Sequence, residues 1–122
     1  MLYGRFYTDS AGETHFEELE VTFDLASYAP PAPPLFVSTF QAVEQFGFLR
    51  FEPGWSGDWH PVPGRQIQIF IEGVIAGEVS DGTVHQFKPG MVLLLEDTTG
   101  KGHKSWVVGD EVVVIAVVRL PE

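Results

Sequence analysis

The chain has 122 residues, enough for one domain with a real core and too few for two ordinary ones. Its 17 acidic and 7 basic side chains leave a net charge of -10, which excludes the basic footprint that nucleic acids and anionic membrane surfaces require. There is no cysteine, so disulfides and thiolate metal sites are excluded too.

Met1-Leu2-Tyr3-Gly4-Arg5 does not lead into a signal-peptide core, and no apolar run approaches the roughly 20 residues needed to cross a bilayer. A soluble, cytoplasmic protein is the expectation. Short segments rich in Val, Ile and Phe, separated by Gly, Pro and Asp signals, predict an all-β sandwich or barrel. In chain order the predicted strands cover residues 16–23, 35–40, 46–51, 66–71, 74–80, 83–87, 91–95, 103–108 and 111–119. Residues 28–34 carry four prolines, which cannot donate enough amide hydrogens to join a sheet, and they read as an extended arm. A single helical turn is expected over 39–45. Asp81-Gly82 predicts a tight two-residue hairpin turn, and Pro89-Gly90 and Gly109-Asp110 mark further turns.

The stretch from Gly54 to Gly73 resembles the first motif of the cupin family. That motif runs glycine, five residues, His-x-His, three or four residues, Glu, six residues, glycine. Gly54, His60, Gln66 and Gly73 fall at those spacings, with Val62 in place of the second His and Gln66 in place of the Glu. Gly100 and His103 keep the spacing of the second motif, in which Thr98 replaces the proline and Val107 the terminal Asn. The resemblance implies an all-β cupin double-stranded β-helix, a jelly-roll barrel with an N-terminal extension. Residues 1–122 form one domain in that reading, with N-terminal strands and the proline-rich arm in 1–45 and the barrel core in 46–119.

The resemblance also implies a metal site. Carried over position by position, its ligands are His60, Gln66 and His103. The implied cofactor is a divalent metal, Fe, Mn, Ni or Zn, or none, and imidazole suits Fe, Zn, Ni, Co or Cu. A neutral amide oxygen in place of a carboxylate, and one imidazole fewer, imply weak metal binding or none. Glu96 and Asp97, just before the second motif, are further candidate carboxylates. If His60 faces inward, alternation along the next strand turns Gln66, Gln68 and Phe70 into the barrel as ligand-lining residues. Of the cations near the motifs, Arg65 and Lys104 point outward by the same alternation, which leaves Lys101 as a candidate ligand contact. Trp55, Trp59 and Trp106 are candidates for an aromatic wall, core or interface. His15 and His85 read as surface residues.

Alternation places Ile67, Ile69 and Ile71 on the outer face, and a row of three isoleucines calls for cover. A homodimer is expected there; an N-terminal arm folded over the same surface of one monomer is the alternative. Two function classes follow. One is a small-molecule protein binding a small anionic molecule in its barrel, with oxygenase, isomerase or lyase chemistry through a metal or a His base. The other is a metal-free ligand-binding or dimeric interaction module.

Overall fold

The computed structural model describes all residues, 1–122, and contains eleven strands and no helix. Accordingly no helix is long and apolar enough to cross a membrane. The strands are β1 Leu2–Thr8, β2 Thr14–Glu20, β3 Asp24–Ala26, β4 Leu35–Val37, β5 Gln45–Phe51, β6 Gln66–Glu72, β7 Val74–Val79, β8 Val84–Phe87, β9 Val92–Leu95, β10 His103–Val108 and β11 Val113–Arg119. Six make one sheet in the order β2-β1-β9-β6-β11-β5, three make a second in the order β10-β7-β8, and β3 pairs with β4 alone.

Cross-strand register fixes which side chains face inward. Ile115 stands between Leu49 and Phe70, and Val117 between Gly47 and Gln68. Successive residues of a strand point to opposite faces, so these rows line the interior while Ile67, Ile69 and Ile71 face out, as the alternation predicts. The core between the sheets is built from Phe6, Phe70, Phe87, Leu93, Leu95, Ile115 and Val79. Phe70 stacks on Phe87 with centroids 4.9 Å apart, and Phe6 meets Phe87 edge-on at 5.8 Å. Burying side chains of this size stabilises by about 1.5–3 kcal/mol each, which makes this cluster the main source of the fold's stability.

The structure differs from the sequence expectation in four places, one of them the short strand β3, which is not predicted. β1 is not predicted, yet it lies inside the six-stranded sheet, parallel to β9, and its Phe6 is fully buried. Its apolar period is interrupted by Gly4, which faces inward because the Phe16 ring occupies the place a Cβ would take, 2.6 Å away. The N-terminal extension is thus of two kinds: β1 and β2 build the barrel, and the β3–β4 hairpin projects from it. No helical turn forms over 39–45. The Glu44 amide instead donates to the carbonyl of Arg119, and Phe40 and Val43 border a hollow with Ile67, Val92 and Leu94. The turn after β7 is longer than a two-residue type I′ turn, which needs positive φ at both central positions. Only Gly82 is left-handed, with φ of 96°, and the Val79 amide closes the loop onto the carbonyl of Thr83.

Candidate functional site

The segment after Gly54 leaves β5 and runs along the edge of β10. Gly57 donates to the carbonyl of Ser105, and Val107 donates to that of Trp55. The pairing ends at His60 and His103, whose amides each donate to the other's carbonyl at 3.0 Å. So close an approach is open only because residue 102 is glycine. Its φ is 71°, and a Cβ there would collide with the His60 carbonyl.

The two imidazoles are therefore cross-strand neighbours, with ring centroids 5.0 Å apart and planes inclined by 52°. His60 sits exposed at the mouth, whereas His103 is only 7 % exposed. The Nδ1 of His60 lies 2.8 Å from the carbonyl of Asp58, which can only accept, so that nitrogen carries the proton. The Nδ1 of His103 lies 2.6 Å from Oδ2 of Asp97, a fully buried carboxylate. Both rings are thus held as the tautomer whose free nitrogen, Nε2, is a lone-pair donor. The other oxygen of Asp97, Oδ1, is buried without a partner.

Both histidines border a cavity of about 890 Å³ that opens between the sheets. Its walls are mostly apolar: Phe6, Phe70, Phe87, Leu93, Ile115 and Val117. The expected residues Gln66, Gln68 and Phe70 line it too. Gln68 donates through Nε2 to Oε1 of Gln66, whose own amide donates to the carbonyl of Gly64. Val62, at the position of the missing second His, fills its space as part of the core.

Lys101 is the expected contact that does not reach the cavity. It is absent from the lining and is paired with Glu13 across the surface, a contact that holds the Glu13 carboxyl below its ordinary range. Arg65 and Arg5 both bind Glu96 outside the barrel, at 2.7 and 2.6 Å. Burial pushes the Glu96 carboxyl up, but the hydrogen bonds from the two guanidinium groups outweigh it and the net shift is downward. Lys104 lies between the rings of Trp59 and Trp106, whereas Trp55 borders the cavity and packs on Phe51 at 4.6 Å. His15 binds Asp9 and Asp81 at the surface. His85 is half-buried against Phe16, at 4.0 Å between centroids.

The residue that sequence reasoning missed is Arg119. It borders the cavity, makes no ion pair, and is the only lining side chain with a fixed charge. Its inward direction follows from the same period-two alternation as Val113, Ile115 and Val117.

These donors do not suit a firmly held divalent cation. No group of three His, Cys, Asp or Glu side chains converges anywhere in the chain. Of the expected ligands, His60 and His103 offer imidazoles, and Gln66 offers an amide whose oxygen already accepts from Gln68. The nearest carboxylate, Asp97, is engaged by His103 on the side of Nδ1. A cation there would find no carboxylate directed at it as a ligand.

No family model and no curated protein matches the sequence. Solved structures do match. A cupin 2 conserved barrel domain protein from Salinispora arenicola superposes with a TM-score of 0.53 at 21 % identity, over 83 % of this chain and 76 % of that one. The cupin domain of Cnp3 from Schizosaccharomyces pombe gives a TM-score of 0.53 at 12 % identity, over 89 % of this chain and 73 % of that one. The chain has the cupin fold. In this cupin barrel the two-histidine end lies on the β10 side of the cavity, and the Arg119 end lies on the six-stranded sheet.

Proposed function

We propose that this cupin barrel binds a small amphipathic anion, a carboxylate with an apolar body, through its own side chains and without a metal. The observation that carries this reading is the rung formed by Gln45, Arg119 and Gln66, which are register partners across β5, β11 and β6. It places one unpaired guanidinium between two amides. Along the same inner face the Val117 rung keeps one polar side chain, Gln68, and the Ile115 rung, with Leu49 and Phe70, is apolar. A ligand matched to that gradient carries its charge at one end. Arginine presents paired N–H donors that fit a carboxylate, and such a charge-assisted pair contributes about 1.5–3 kcal/mol.

Calorimetric titration tests this with octanoate and octanol, which share an apolar chain and differ in charge. Octanoate is expected to bind at least about tenfold more tightly, and Arg119→Gln to remove that preference. Equal affinities, or a preference that survives the substitution, contradict the reading. Elemental analysis of protein purified without chelator or metal-affinity resin tests the metal-free part, which a stoichiometric divalent metal at His60 and His103 would overturn.

A second reading, proton-transfer catalysis of isomerase or lyase type, is favoured by the buried Asp97 carboxylate on Nδ1 of His103. That contact orients the ring and leaves Nε2 as a general base. Under this reading His103→Ala abolishes turnover of a bound carboxylate while Arg119-dependent binding persists.

A further inference from the structure

Nε2 of His103 is a polar atom for which the protein supplies no partner. The residue is 7 % exposed, its Nδ1 is held by Asp97, and no other side chain or backbone group bonds the ring. Oδ1 of Asp97 is the sole side-chain polar atom sealed from solvent without a partner. Nε2 therefore reaches open space, and the space that the ring borders is the cavity. With the proton fixed on Nδ1, Nε2 presents a lone pair there and can only accept. A group that completes it must bring an O–H or an N–H.

This acceptor lies level with Arg119. Phe6, Leu95, Gln66 and Arg119 are successive register partners across β1, β9, β6 and β11. The imidazole of His103 lies against the first member of that row, 5.5 Å from the Phe6 ring. Three strand spacings, about 14 Å, separate the backbones at the two ends of the row, and the long side chain of Arg119 shortens the gap. The apolar rung of Leu49, Ile115 and Phe70 lies deeper, displaced along β11 on the same inner face. A carboxylate on Arg119 with its chain on Ile115 and Phe70 thus passes His103 within its first few carbons.

We propose that the ligand is a hydroxy carboxylate, an acid with an apolar body whose hydroxyl on the α or β carbon donates to Nε2 of His103. The inference rests on the carboxylate reading above and adds the ligand's second polar group. A hydroxyl suits the site better than an ammonium. No carboxylate lines the cavity, and its one fixed charge is the cation Arg119, so a second cation would find no carboxylate directed at it. The hydroxyl's position follows from the same row. At the far end of the ligand it would be buried among Phe70, Phe87 and Ile115 without a partner.

Calorimetric titration of metal-stripped protein with octanoate and its β-hydroxy, β-oxo, β-amino and ω-hydroxy derivatives tests the proposal. One enantiomer of β-hydroxyoctanoate is expected to bind about fivefold more tightly than octanoate, the size of one net hydrogen bond. The β-oxo acid keeps the oxygen but can only accept, so it is expected to show no gain. The ω-hydroxy acid is expected to bind more weakly than octanoate. His103→Ala is expected to make β-hydroxyoctanoate and octanoate equal. Should that variant misfold, the parent still decides. Its His103 Nε2 resonance, read in long-range nitrogen spectra, is expected to move toward the hydrogen-bonded range with the β-hydroxy acid and not with octanoate. A β-hydroxy acid no tighter than octanoate, an equal gain from the β-oxo acid, or a tighter β-amino acid overturns this inference while leaving Arg119-dependent binding of octanoate intact. Loss of that Arg119 dependence overturns the carboxylate reading, and this inference falls with it.

Discussion

Asp97 and His103 form a closed pair beneath the floor of the cavity. The carboxylate is fully buried, its Oδ2 accepts from Nδ1 of the imidazole at 2.6 Å, and its other oxygen meets no partner. Removing either member leaves the other buried and unpaired, which costs about 1–3 kcal/mol. Asp97→Ala and His103→Ala should therefore each lower stability in urea by that amount. His60→Ala, at the exposed mouth, should stay within about 0.5 kcal/mol. Equal losses for His60 and His103 would show that the pair is not the structural unit described.

Gly102 is the second point of sensitivity. Alanine there must adopt a left-handed φ and push aside the His60 carbonyl, so Gly102→Ala should cost about 3 kcal/mol or more. It should also release the His60 amide to fast hydrogen exchange, because that amide bonds to the carbonyl of His103. Unchanged protection at His60 would contradict this.

Two other histidines should titrate in opposite directions from the ordinary imidazole value of 6.5. The hydrogen bond to Asp9, supported by Asp81, raises His15, whereas burial lowers His85. The stabilisation from His15 is complete below pH 6.5 and is lost as the pH rises through its higher folded value. The aspartates work in the reverse sense. Asp9, held down chiefly by His15, and Asp81, held down chiefly by Thr83, contribute above 3.8 and lose that contribution as the pH falls through their depressed values. The clasp joining the β1–β2 and β7–β8 turns is thus strongest between those limits. Imidazole NMR should place His15 above 6.5 and His85 below it, and the reverse order would refute the assignment.

Much of the barrel was legible because its strands obey simple alternation. The predicted strand 103–108 coincides with β10, and the inward set Gln66, Gln68 and Phe70 follows from period two alone. β1 was illegible because Gly4 interrupts its apolar face, and the reason for that glycine is the ring of Phe16, a contact made through tertiary pairing. At the site, His60 and His103 come from motif spacing, but their adjacency depends on Gly102. Asp97 entered only as a candidate metal carboxylate, because nothing local reveals that it turns toward His103. Lys101 misled for a related reason: its partner Glu13 is distant in sequence. Arg119 was illegible because residues 112–118 are apolar at every position and give the alternation no phase, which only the pairing of β11 with β5 and β6 supplies.

Ligand binding at Arg119 is tested most directly by NMR on metal-stripped, isotope-labelled protein with octanoate. The proposal predicts contacts between the octanoate chain and the methyl groups of Ile115 and Val117, together with a shift of the Arg119 Nε–H signal. No contact in the cavity, or contacts that arise only after a divalent metal is restored, would contradict it.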